Sequence, residues 1–366
     1  MSPERILFRA DASHAIGFGH VTRMCALIEE ASDAGFAPVA MFGGDLPAIA
    51  RWAAGRNLPL DLRAWSTEHT ARAAAAPDVR AVFVDGPAIA RAVLPVLADH
   101  TRAVMVDDVG SDATVATVLN HNVHATDLAY PGARRRLLGR TFLMLRHEIR
   151  RQPRGSAPTD PRVGERLRVV VTFGGSDPIN ATARTVALFP PARPVELVVI
   201  AGPGFRDTAA LDAAIATARA AGHLVDLCTS PPDPGALFAS AHAAICSAGG
   251  TLGELAYLGC PALAYAIVPD QIAPARRQVG DGLIAGGRTW SEVDDSTLRS
   301  DLLRFVLDDA GRRTQRDRAM ATVDADGPRR IIAAAISRRA SPTESSNLAA
   351  NAGLPSIDFA DRKSVV

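Results

Sequence analysis

Cysteine is scarce in this chain. Cys25, Cys228, Cys246 and Cys260 are scattered through apolar segments and share no CxxC spacing. That pattern argues against a disulfide framework or a zinc site, and for four buried thiols in a reducing cytoplasm. Excess charge of one sign is also missing: 40 Lys and Arg stand against 39 Asp and Glu, a net charge of +1. A broad basic footprint for nucleic acid or anionic lipid is therefore not expected. No stretch approaches the ~20 continuous apolar residues that a membrane helix needs. The opening MSPERILFRAD runs straight into a strand-like segment without a charged leader and apolar block, so no signal peptide is expected.

What remains is a 366-residue chain that is 48% apolar, enough for two or three cored domains at roughly 100–200 residues each. Short β-rich runs alternate with Ala-rich helical stretches, the pattern of βαβ units on parallel sheets. Strands are expected at Arg5–Arg9, Pro38–Phe42, Leu58–Arg63, Ala81–Asp85, Ala103–Asp107 and Thr114–Asn120, with helices over Val21–Ala34, Leu46–Ala54 and Ala88–Ala98. Several strands end in a polar residue (Asp85, Asp107, Asn120), and parallel sheets bind ligands beyond those ends. The Pro-, Gly- and charge-rich segment Arg146–Arg168 reads as an interdomain hinge. Alternation then restarts, with strands expected at Leu167–Phe173, Val195–Ala201, Leu224–Leu227, Ala243–Cys246 and Pro261–Tyr265. The expected architecture is α/β: two doubly wound parallel-sheet domains, 1–150 and 151–340, then a disordered tail over 341–366.

Three glycine turns stand at strand-to-helix junctions. Ile16-Gly17-Phe18-Gly19-His20 follows the first strand, where glycines admit a ligand to the backbone and a helix start offers free N–H groups. The positive helix end there favours a neutral His20 able to accept a proton. Arg9, Asp11 and Arg23 flank the turn, either as ligand contacts or as a bracing ion-pair network. Gly174-Gly175-Ser176-Asp177 ends the first strand of the second half and suits an anion cradle, a helix cap, or both. In Ser247-Ala248-Gly249-Gly250-Thr251, exposed N–H groups could hold a diphosphate. Glu254, one turn into the next helix, could take the vicinal hydroxyls of a ribose or close a capping box with Thr251. Asp270-Gln271 opens another helix at the same sheet edge. His121 and His124 have no third metal ligand at suitable spacing and read as a solvated loop; Arg134-Arg135-Arg136 reads as a solvated surface turn.

The segments FRADASHAIGFGHVTRMCAL, VDD at Val106–Asp108, VLN at Val118–Asn120 and LLGRTFLMLRHEI come first in an ordered series. FGGSDPINAT, CSAGGTLGELAYLGCPALAY and DQIAPA complete it. In this order they resemble the UDP-2,4-diacetamido-2,4,6-trideoxy-β-L-altropyranose hydrolases of pseudaminic acid biosynthesis. They are similar also to the related spore-coat polysaccharide proteins and, more distantly, to the GT-B glycosyltransferases. The resemblance spans roughly Arg5 to Ala285. It implies two Rossmann-like domains facing across a cleft, with nucleotide held mainly by the second. It implies that His20 is catalytic, that Glu254 binds the ribose, and that Gly175, Ser176, Gly249, Gly250 and Thr251 hold phosphate beside Gln271. Two departures mark this chain: Pro87 stands where the family usually has Tyr, and Asp270 where it usually has Asn.

The expected activity is hydrolysis of a UDP-linked amino or deoxy sugar without cofactor or metal. Gly19, Arg9, Asp11, Arg23 and Asp85 would lie on the sugar side; Gly174, Gly175, Ser176, Ser247, Gly249, Gly250, Thr251, Glu254, Asp270 and Gln271 would lie on the nucleotide side. Transfer of the sugar to an acceptor is the alternative, and a nucleotide-sugar-binding protein without turnover is a third reading.

Overall fold

The computed structural model describes residues 3–53, 65–97 and 102–337. The strand expected at Leu58–Arg63 and the tail from Ser341 lie outside the described residues, as do Ala54 and Ala98. The first sheet is built from β1 (Arg5–Ala12), β2 (Ala37–Gly44), β3 (Val79–Asp85), β4 (Ala103–Val106), β5 (Val115–Asn120) and β6 (Ala133–Leu138). The second holds β7 (Leu167–Thr172), β8 (Val195–Ala201), β9 (Leu224–Thr229), β10 (Ala243–Ser247), β11 (Ala262–Ala266) and β12 (Ala285–Thr289). Every pairing is parallel.

Runs such as VFVD and VVVT are apolar on both sides because successive residues point to opposite faces, and each face is covered by helices. In β1, Ile6 and Phe8 enter one core while Leu7 enters another. In β7, Val169 and Val171 pack on one face and Val170 on the other. The strand orders are β2-β1-β3-β4-β5-β6 and β12-β11-β10-β7-β8-β9. Each order reverses beside the first strand of its half, between β1 and β3 and between β7 and β10. A crevice opens at such reversals, outside the carboxyl ends of the strands.

Several expectations need correction. Arg134-Arg135-Arg136 is not a surface turn but lies in β6, the edge of the first sheet. Arg134 and Arg136 are exposed, which keeps the edge charged against pairing with another chain, while Arg135 bonds the carbonyl of Ala334. The segment Arg146–Arg168 runs from the first sheet to the second and has structure of its own. It holds a helix, His147–Arg150, and its backbone is tied to the second half by Gly155 N to Tyr257 O and Ala157 N to Leu258 O, at 3.0 and 2.9 Å. The helix Gly327–Ile336 packs Ile331 and Ile332 into the core that contains Ile6 and Phe8. Three of the free cysteines are buried, but Cys228 is half-buried on the edge strand β9. Among the described residues no helix is long and apolar enough to cross a membrane.

Candidate functional site

The helix Gly19–Asp33 starts just beyond β1 with Phe18 at its N-cap and no side chain capping it. His20 and Arg23, three residues apart, share a face of that helix. Both turn toward Asp85, the last residue of the neighbouring β3, whose carboxylate is fully buried. His20 Nδ1 donates to Asp85 Oδ1 at 2.8 Å. Arg23 grips the same carboxylate through Nε to Oδ2 at 2.6 Å and Nη2 to Oδ1 at 2.5 Å. Its other edge forks onto Asp108, with both contacts at 2.8 Å. Two carboxylates therefore share one guanidinium, and the surplus negative charge acts on His20.

Burial pulls the His20 imidazole toward the neutral form, yet the Asp85 carboxylate outweighs it, and the pKa stands above its ordinary value. The contacting carboxylate outweighs the partial charge of the helix N-terminus, so the ring is a stronger base than the turn alone would make it. Asp85 itself is penalised by burial, but Arg23 and then His20 hold its pKa below the ordinary range. Asp108 is likewise penalised by burial, and Arg23, then more weakly His121 and His20, hold its pKa below the ordinary range.

In the second half, Gly174 follows β7 with φ +91°, a left-handed backbone that glycine adopts without strain. Gly175 lets the turn meet the first half, since a Cβ there would stand 2.6 Å from Cβ of Phe18. Asn180 holds the N-cap position of the helix Ala181–Ala187, and the Asp177 carboxylate covers its start by accepting from the N–H groups of Ala181 and Thr182 at 2.9 and 2.8 Å. Beyond β10, the helix Thr251–Leu258 starts at Gly250 with no side-chain cap. Leu252 and Gly253 donate their N–H groups to Gly249 O and Gly250 O at 3.1 Å, which leaves those of Gly250 and Thr251, and the helix field, open to an anion. Gln271 Oε1 accepts from Ile267 N–H at 3.0 Å, and its Nε2 lies beside Gly249.

Glu254 does not close a capping box. Arg146 holds both its oxygens, Nε to Oε1 at 2.6 Å and Nη2 to Oε2 at 2.7 Å. Burial lowers the Arg146 pKa and Glu254 raises it more strongly, so the guanidinium stays charged.

These parts converge on one cleft of about 330 Å³. Gly19, His20 and Arg23 line it from the first half; Gly174, Gly175, Ser176, Ser247, Gly249, Gly250, Thr251, Glu254, Asp270 and Gln271 line it from the second. Asp270 is desolvated there and feels the charge of Asp108 across the gap, which raises its pKa. Arg9 and Asp11 are not in the wall: they pair with each other, and Arg9 also bonds the carbonyl of Ala10 at 2.8 Å. Asp85 lies behind His20. Sequence reasoning missed Asp108, His121, Asn122 and Arg146, all cleft-lining. The acidic pair after β4 was the available signal for Asp108, whereas Arg146 was absorbed into the supposed hinge. His121 and His124 are buried rather than solvated. Among the described residues no group of three metal-ligating side chains occurs.

No protein-family model matches the chain, and no curated protein matches it. Solved structures do. MurG of Acinetobacter baumannii aligns with TM-score 0.60 and 15% identity over 91% of this chain and 99% of its own. The spinosyn rhamnosyltransferase SpnG aligns with TM-score 0.58 and 17% identity over 90% and 100%. A putative UDP-N-acetylglucosamine 2-epimerase from Listeria monocytogenes aligns with TM-score 0.58 and 13% identity over 91% and 96%. At these identities the likeness is one of fold. The chain has the two-domain Rossmann-like α/β architecture of the GT-B type.

Proposed function

We propose that this chain hydrolyses a nucleotide sugar at its anomeric carbon, releasing a nucleoside diphosphate, with UDP the leading candidate, and a free sugar. The observation that carries the proposal is the His20–Asp85 pair facing the uncapped start of the helix Thr251–Leu258 across a single cleft. With Nδ1 committed to Asp85, His20 keeps Nε2 for the reaction. The carboxylate orients the ring and stabilises the imidazolium that forms once the ring accepts a proton from the attacking water.

The diphosphate would rest on the backbone N–H groups of Gly249, Gly250 and Thr251, with Gly174–Ser176 beside it. Such donors meet the charge that grows on the leaving group, and losing one costs ~3 kcal/mol of transition-state stabilisation. Glu254 would take the ribose hydroxyls. Arg146 occupies one lone pair on each of its oxygens, and a carboxylate offers about four acceptor sites, so two hydroxyls can still donate. The sugar would then lie between His20 on the first-sheet side and Asp270 on the second-sheet side.

Transfer to an acceptor hydroxyl is the second reading, favoured by the likeness to SpnG, named a rhamnosyltransferase. Incubation with UDP-sugars and no acceptor separates the two. UDP release under that condition supports hydrolysis, and release that waits for an added acceptor supports transfer.

A further inference from the structure

A second imidazole stands on the cleft wall and has no part in the mechanism above. His121 follows β5 and is buried, with its ring lining the cleft. Its Nδ1 accepts the backbone N–H of Met144 at 3.3 Å. A ring nitrogen that accepts a main-chain N–H carries no proton, so the hydrogen of the neutral ring sits on Nε2.

Burial and two guanidinium groups hold the ring in that form. Burial disfavours the cation first, then the Arg23 guanidinium, and more weakly Arg140, while Asp108 and Asp85 oppose them; the net pKa falls to about 4. Among the described residues, Nε2–H has no hydrogen-bond partner. The neighbouring Asn122 spends its amide on Asp108 Oδ1 at 2.8 Å. A donor fixed in a mostly desolvated wall, with no protein acceptor, is matched by a ligand acceptor.

We propose that His121 contacts substrate directly, its Nε2–H donating to a hydroxyl or carbonyl oxygen on the glycosyl group. The inference rests on the nucleotide-sugar reading above. The glycosyl group is favoured over the nucleotide because His121 shares the first-half wall with Arg23 and Asp108, opposite Glu254 and the Gly249–Thr251 turn. The two cleft histidines are then opposite in polarity. His20 gives Nδ1–H to Asp85 and can gain a proton at Nε2, whereas His121 receives at Nδ1 and only donates at Nε2. A fixed donor rejects a sugar that has no oxygen at that place, since the N–H, once covered by the bound sugar, would stay unpaired.

Two substitutions of the full chain separate contact from scaffold. Asn at 121 places its Oδ1 where Nδ1 accepts from Met144 but cannot reach the Nε2 position. Gln places its amide N–H near Nε2 but gives up the Met144 contact. Calorimetry with UDP and with UDP-N-acetylglucosamine reads both variants. Expected is unchanged UDP affinity throughout, with UDP-N-acetylglucosamine weakened about tenfold or more in His121→Asn and largely restored in His121→Gln. The reverse order, equal losses, or no loss in His121→Asn overturns the role of His121 while UDP binding leaves the nucleotide reading intact. A wild-type protein that binds neither ligand overturns both.

Discussion

Arg146 and Glu254, 108 positions apart, form a two-bond pair at 2.6 and 2.7 Å that joins the crossover between the sheets to the helix behind the Gly249–Thr251 turn. Both side chains are almost wholly enclosed, at 11% and 8% exposure. Removing one member leaves a buried charge alone. Arg146→Met is expected to lower stability by about 3–5 kcal/mol in urea unfolding, with nucleotide affinity falling as Glu254 loses its fixed orientation. Unchanged stability would show that the pair is dispensable.

Asp85→Asn tests how His20 is tuned. The Asn side chain can donate to Nδ1 and stabilise the wrong tautomer, so kcat is expected to drop roughly 10²–10⁴-fold. The acid limb of the pH–rate profile reports the His20 base. Asp85 is what raises its pKa against burial, so the residual activity of the variant should reach its plateau at lower pH than wild type. A limb that stays in place would mean that another group titrates there.

Stability should fall as pH rises, for a reason located at the crossover. Glu29, desolvated and beside Glu148, has its pKa raised from 4.5 to about 7, although it accepts the His147 N–H at 3.1 Å. Between those values the folded protein binds more protons than the unfolded chain, so stability declines across that window. His20, also raised, adds stability that is complete below its ordinary value and is lost as pH climbs through the folded-state pKa. Glu29→Gln should flatten the curve and stabilise the protein at pH 8 by roughly 1–3 kcal/mol in thermal or urea unfolding. An unchanged slope would contradict the burial of that carboxyl.

Gly202 touches the Gly174–Ser176 turn through its missing side chain. A Cβ at this position would stand 2.4 Å from Gly175 O and 2.5 Å from Gly175 Cα. Backbone cannot swing aside as a flexible side chain does. Gly202→Ala is expected to cost about 1–3 kcal/mol and to weaken UDP binding by displacing Gly174–Ser176, as calorimetry and unfolding together would show.

The strands of both halves were legible where Val, Ile and Ala run continuously, as in Ala81–Asp85 and Val195–Ala201, because parallel strands are buried on both faces. Two edge strands were hidden. In β6 three arginines mask the pattern, and β12 carries Gly286 and Gly287 at φ +79° and +74°. The glycine turns that meet at the cleft could be read from local spacing. The charges that tune it could not: the partner of Glu254 lies in a segment whose composition suggests a linker. Asp108 acts on His20 through Arg23, 85 positions away in the chain. The tautomer of His121 depends on a single backbone N–H of Met144, which no side-chain pattern announces.

The most direct measurement is UDP release from a panel of UDP-sugars by the full chain in water, with no acceptor, compared between wild type and His20→Asn. The account predicts release by the wild type and a loss of roughly 10²–10⁴-fold in a variant that is folded and still binds UDP. Undiminished release by His20→Asn, or release by the wild type only when an acceptor hydroxyl is supplied, would contradict it.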